Sequence, residues 1–237
     1  MHMSRKKESP EVTAIWKPLR DYKKDCKKLA NTYNRICVYK RYQKPRILIL
    51  DCETTGLDAD YNEILQLSIM DAITGSKVFD EYFKPIFLDK WKDAERIHGI
   101  SPRKVSSRRD IKPFIPIIQD ILNEAVVIAG YNISFDLKFL ESYGLNTHSG
   151  IACIYDVMDA YATFYTDDGR WMKLTDVAKE TGFDWKSCKA HNSLGDCAAT
   201  LHIMKWMLHK GPSEWLEEDL KDYEYKGKNL YDCLLES

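Results

Sequence analysis

The chain has 237 residues, 44% of them hydrophobic, enough for one ordinary domain with extensions or at most two small ones. No apolar run reaches eighteen residues and no apolar signal segment opens the chain, which argues against a membrane-spanning helix and a secretory leader. Seven scattered cysteines without a CxxC pair argue against a thiolate zinc site or disulfide framework and for a reduced, cytoplasmic setting. The net charge of −1 conceals a split: residues 1–46 carry fourteen Lys/Arg against four Asp/Glu, leaving 21 basic and 32 acidic residues elsewhere, the pattern of a basic arm for nucleic acid or another polyanion.

Ser9-Pro10-Glu11 reads as a helix start, and Pro18 is expected to interrupt and restart the helix. Leu19, Tyr22, Cys26, Leu29, Tyr33 and Ile36 then recur at steps of three and four as one apolar stripe. Arg20, Lys23, Lys24, Lys27, Lys28 and Arg35 are expected on the other sides, solvated or gripping phosphates with Tyr39 and Tyr42 nearby. Residues 1–43 are therefore predicted to be a basic helical extension.

Next comes Ile47-Leu48-Ile49-Leu50, bounded by Pro45 and Gly56, a strand buried on both faces near the middle of a sheet. At its carboxyl end stand Asp51 and Glu53. Positions i and i+2 of an extended chain share a side, so both carboxylates aim at one spot. Like charges beside a dry core need a cation between them, and a divalent metal is the simplest. The plainer alternative is an N-cap acid and a solvated turn acid that happen to be neighbours.

Residues 63–70 and 77–83, joined through Thr74-Gly75-Ser76, read as an antiparallel pair added to the first strand. Gly99 is expected to end a short helix containing Asp93 and His98, and Ser101-Pro102 to open another. Residues 111–124 are helical in pattern. Ala125-Val126-Val127-Ile128-Ala129 is a second buried strand running into Asn132, Phe135 and Asp136 at a helix start. Residues 151–165 read as a helix or strand-helix, and a helix around Leu174 ends at Gly182. Ser193 is expected to cap a last long helix with Asp196 at its third position. Gly211-Pro212 stops it, and the acidic tail, residues 211–237, is either docked or a partner-binding segment.

The pattern is thus Asp51-x-Glu53 at a strand end, Asp136 after a second strand, and His191-x4-Asp196 opening a helix. Together these resemble the DnaQ-like 3′–5′ exonucleases of the DEDDh type, the family of bacterial proofreading subunits, across residues 44–210. Asp51-x-Glu53-Thr54-Thr55-Gly56-Leu57, Asn132-x-x-Phe135-Asp136 and His191-x4-Asp196 match its three motifs, and Ile97-His98-Gly99-Ile100 looks like an element between the first two. The resemblance implies an α/β, ribonuclease H-like mixed sheet flanked by helices. It also implies a two-metal phosphodiester hydrolase holding two Mg2+ or Mn2+ ions, hard cations that favour carboxylate oxygens.

By the same resemblance Asp51 would bridge both metals, Glu53 and Asp196 would complete the site of the attacking water, and Asp136 would serve the second metal, partly through water. His191 would be the general base, a role suited to an imidazole. Thr54 and Leu57 would contact the 3′-terminal nucleotide, Asn132 and Phe135 would support the scissile region, and His98 and Asp93 would touch the terminal nucleotide. The chain departs from the family's common pattern at Tyr131, often His, and Gln66, often an acid; both bear on substrate detail. The expected substrate is a nucleic acid with a free 3′ end, single-stranded DNA favoured, releasing nucleoside 5′-monophosphates, with a DNA polymerase as a candidate partner. An RNA-trimming nuclease and a non-catalytic end-binding module are the alternatives; retention of all four acids and His191 speaks against the latter.

Overall fold

The computed structural model describes residues 10–33, 46–148, 151–188, 190–210 and 214–236. Its centre is a five-stranded sheet of β1 (Arg46–Thr54), β2 (Ile64–Asp71), β3 (Lys77–Tyr82), β4 (Ala125–Gly130) and β5 (Cys153–Asp156), ordered β3-β2-β1-β4-β5. β1 pairs antiparallel with β2 and parallel with β4, so the aliphatic run is central, as expected.

Alternation along β1 divides the core in two. Ile47 and Ile49 enter the cluster shared with α6 (Val157–Tyr165), α7 (Leu174–Glu180) and α8 (Ser193–Lys210). Leu48, Leu50 and Cys52 enter the one shared with α1 (Pro10–Tyr33), α4 (Ile115–Leu122) and α5 (Ile133–Ser142). Burying each such aliphatic side chain is worth about 1.5–3 kcal/mol, and a one-residue slip would carry Asp51 and Glu53 to the wrong face. The register that fills the cores therefore also aims the acids.

The short helices α2 (Lys92–His98) and α3 (Pro102–Val105) follow β3. Gly99 ends α2 in the left-handed region (φ 69°), and Ser101 caps α3 by accepting the Lys104 N–H, both as expected. At the end of β4, a Cβ on Gly130 would lie 2.9 Å from the Leu50 carbonyl oxygen, so only glycine lets the two strand ends approach. Asn132 then turns the chain into α5 at φ 60°, its N–H held by Asp156 Oδ1 at 3.0 Å, which brings Asp136 into the first turn.

Two expectations about α1 are corrected. Pro18 lies inside a continuous helix, because Leu19, Cys26 and Ala30 anchor the turns after it on the domain. Lys23 is not on a solvated side: it falls in the stripe of Leu19, Tyr22 and Cys26 and is 6% exposed. Tyr33 closes α1, but its side chain and all of Ile36, Tyr39 and Tyr42 lie outside the described detail. Of the two readings of the tail, docking is observed for its described part. Leu216 and Leu220 of α9 (Glu214–Leu220) and Leu230 and Leu234 of α10 (Leu230–Glu236) are fully buried in the α8 cluster. Among the described residues, no helix is long and apolar enough to cross a membrane.

Candidate active site

Three of the four expected acids converge directly. One ligand-competent oxygen from each of Asp51, Glu53 and Asp196 lies within 4.8 Å of the others. Two come from alternate positions at the end of β1 and the third from the first turn of α8, where the helix dipole favours negative charge. Asp136 stands behind them, 2% exposed, with Oδ1 accepting the Cys52 N–H at 2.9 Å. That bond ties α5 to the residue between the two β1 acids.

The group is electrostatically unbalanced. Burial, then Asp136, Glu53 and Asp196, raise the Asp51 carboxyl well above its usual range. Burial, then Asp196 and Asp136, push Glu53 up to about 8, with Lys104 opposing. Burial pushes Asp196 up to about 7 against the hydrogen bond from His191, and burial also raises Asp136. Four hard oxygen donors that resist ionisation together suit divalent cations such as Mg2+ or Mn2+.

His191 precedes α8 at φ 58°, a left-handed conformation uncommon outside glycine, and its side chain is exposed. Its N–H donates to Asp196 Oδ1 at 3.2 Å, joining the histidine to the acid cluster. Ser193 is not the cap expected for α8. Its hydroxyl is fully buried and pairs with Ser68 Oγ at 2.6 Å, while Asn192 O accepts the Asp196 N–H.

The remaining expected residues divide. Thr54 is buried, its hydroxyl donating to Gly56 O at 2.7 Å, and Leu57 is 85% exposed at the tip of the adjoining loop. Burial lowers the pKa of His98, whose Nδ1 accepts the Ile100 N–H while Nε2 donates to Thr54 O at 3.1 Å; its ring nitrogens are committed to the chain. Asp93 points outward and pairs with Arg96 at 3.1 Å. The exposed Asn132 and half-buried Phe135 sit at the start of α5, Phe135 packing on Phe139.

Sequence reading missed a polar network behind His191. Asn192 Nδ2 donates to Gln66 Oε1 at 3.1 Å and to the Tyr82 hydroxyl at 2.7 Å, Gln66 Nε2 and Ser68 Oγ both donate to Asp80 Oδ1 at 3.0 Å, and Lys104 Nζ donates to the Tyr82 hydroxyl. The signal was present as Gln66 and Ser68, polar residues at alternate positions within the apolar run Ile64–Met70. At Tyr131 the hydroxyl bonds Met172 O at 2.7 Å and so serves the fold.

This mixed sheet, with carboxylates at the ends of its central elements, defines the ribonuclease H-like class of nuclease folds. The chain belongs to the exonuclease family (RNase T), whose profile matches residues 48–204, and within it to the DEDDh 3′–5′ exonucleases, a divalent-metal-dependent group. It is 33% identical over 96 residues to the PolC-type DNA polymerase III of Thermotoga maritima, covering 39% of this chain and 7% of that protein. It is 26% identical to the 3′–5′ exonuclease DinG of Staphylococcus saprophyticus, covering 79% of this chain and 21% of that protein. It is 22% identical to RNA exonuclease 3 of Saccharomyces cerevisiae, covering 77% and 44%. The chain thus spans less than half the length of these relatives. In fold it resembles Escherichia coli exonuclease I bound to single-stranded DNA, with TM-score 0.61, 18% identity, and coverage of 73% of this chain and 42% of that one. Exonuclease X in complex with 5′-overhanging duplex DNA gives TM-score 0.54 at 19% identity, covering 79% and 99%.

Proposed function

We propose that this chain is a metal-dependent 3′–5′ exonuclease that removes nucleoside 5′-monophosphates from the 3′ end of a nucleic acid. The observation that carries the reading is the convergence of Asp51, Glu53 and Asp196 with Asp136 behind them, inside the family's match. Asp51, Glu53, Asp136 and Asp196 would hold two Mg2+ or Mn2+ ions. When bound, these would supply charge stabilisation to the phosphoryl oxygens and acidify a water.

The chain's own residues do the rest. His191, exposed beside the acids and tied by its backbone to Asp196, takes the proton of the attacking water. Asp196 thereby offers a ligand oxygen and holds the backbone of the base. Leu57 presents an apolar side chain to the terminal base, and Thr54, its hydroxyl turned to Gly56, meets the nucleotide through its backbone. Asn132 and Phe135 flank the scissile region. His98, with both ring nitrogens occupied, steadies Thr54 through its carbonyl, and Asp93 meets the nucleotide only at its periphery.

Single-stranded DNA is the favoured substrate, an expectation supported by the likeness to exonuclease I bound to single-stranded DNA. RNA is the second reading, favoured by the likeness to RNA exonuclease 3 along most of this chain. A DNA polymerase is the proposed partner, on the likeness to PolC-type DNA polymerase III. The test is incubation of matched 5′-labelled DNA and RNA oligomers with Mg2+. Stepwise shortening of DNA, stopped by chelator and restored by excess Mg2+, is expected. Faster shortening of RNA would exchange the two substrates, and unchanged length of both would end the nuclease reading.

A further inference from the structure

We propose that α1, which lies wholly outside the matched family region, is a brace for the loop that carries Leu57, with Lys23 as its positioning residue. The inference rests on the nuclease reading in one respect, that Leu57 meets the terminal nucleotide.

The loop between β1 and β2 is a compact turn. Tyr61 and Asn62 N–H groups return to Asp58 O at 3.1 and 2.9 Å, and the Asp60 N–H returns to Asp58 Oδ1 at 2.9 Å. Thr55 closes it, its hydroxyl accepting the Glu63 N–H at 2.9 Å. These bonds leave the carbonyls of Ala59 and Asn62 facing α1. Lys23 Nζ donates to both, at 2.5 and 2.8 Å. Charge favours the arrangement: burial lowers the Lys23 pKa to about 8, while Glu63, Asp60 and Asp58 raise it, so the ammonium dominates at neutral pH.

Two further contacts fix the same loop from α1 and behind it. Trp16 packs edge-on against Tyr61 at 5.1 Å and tilted against Phe87 at 5.4 Å. The Glu63 carboxylate accepts the N–H groups of Ile86, Phe87 and Leu88, anchoring the loop's far end. α1 can sit this close because Gly144 (φ 85°) lacks a Cβ, which would lie 2.4 Å from Lys27 Cα. A buried lysine spends its donors inside the protein, so this charge of the basic extension holds the enzyme's own loop and not a phosphate.

The experiment compares the full chain with Lys23→Met, which removes both donors and keeps the stem, and with Trp16→Ala, which loosens the loop from the other side should the first variant fold poorly. Hydrogen exchange is expected to accelerate at the Asp60, Tyr61 and Asn62 amides at a temperature where circular dichroism reports a folded chain. On a DNA oligomer, Lys23→Met is expected to raise KM about tenfold with kcat within about twofold, the signature of lost uniform binding. Combined with Leu57→Ala it should be no worse than Leu57→Ala alone, because the two act through one loop. Unchanged exchange in both variants, or effects on KM that multiply in the double mutant, would overturn the brace. A wild-type chain that degrades no oligomer would defeat the nuclease reading instead, and the exchange result would still decide whether α1 holds the loop.

Discussion

Asp196 accepts the backbone N–H of His191 at 3.2 Å, so one carboxylate both faces the acid cluster and holds the neighbouring imidazole's backbone in its left-handed turn. Its two roles separate by substitution. Asp196→Asn keeps an oxygen acceptor for the N–H but loses the charge, whereas Asp196→Ala loses both. Both should abolish turnover; only the alanine variant should speed hydrogen exchange at the His191 amide. Equal exchange in the two variants would mean the bond does not hold the turn.

His191 itself should be tested with asparagine, which tolerates positive φ better than most residues. Because the side chain is exposed, stability should change by no more than about 0.5 kcal/mol. Loss of the general base should lower kcat by about 10²–10⁴-fold with KM little changed. A kcat within threefold of wild type, measured with saturating Mg2+, would remove His191 from the chemistry.

The acid cluster makes a pH-dependent statement about stability. Glu53 and Asp196 are raised to about 8 and about 7, above the ordinary carboxylate range near 4. Between the ordinary and the raised values the folded chain binds more protons than the unfolded one, so the cluster's contribution falls as pH rises through that window. Asp51→Asn removes one of the repelling charges. It should therefore raise the metal-free melting temperature slightly at pH 5 and most at pH 8, whereas with Mg2+ bound the wild type should be the more stable. A gain larger at pH 5 than at pH 8, read by scanning calorimetry with chelator, would contradict the assignment.

Gln66 is the chain's own departure from the acid common in the family, and the structure supplies a reason. Its amide donates to Asp80 and accepts from Asn192, beside the His191 turn. Gln66→Glu would face Asp80 without a donor, costing about 1–3 kcal/mol in urea unfolding at pH 7. Asp80→Asn should restore most of that loss. No loss, or no rescue, would show that the network is not under this constraint.

Much of this was legible in the sequence because the strongest signals are local. The uninterrupted run Ile47–Leu50 gave the central strand, and i, i+2 spacing gave the shared direction of Asp51 and Glu53. Gly99 and Ser101 declared a helix end and a helix start. What escaped depends on distant partners. Ser193 looks like a cap until Ser68 arrives from β2, and Lys23 looks like a solvated charge until the carbonyls of Ala59 and Asn62 face it. Pro18 carries a local penalty that packing of the turns after it overrides.

The central claim is that Asp51, Glu53, Asp136 and Asp196 jointly hold divalent cations. The most direct measurement is a Mn2+ titration of the chelator-treated chain, followed by electron paramagnetic resonance of the free ion, for wild type and Asp51→Asn. Two bound ions in the wild type and loss of at least one in the variant are expected. Equal Mn2+ binding by the two proteins, or none by either, would contradict it.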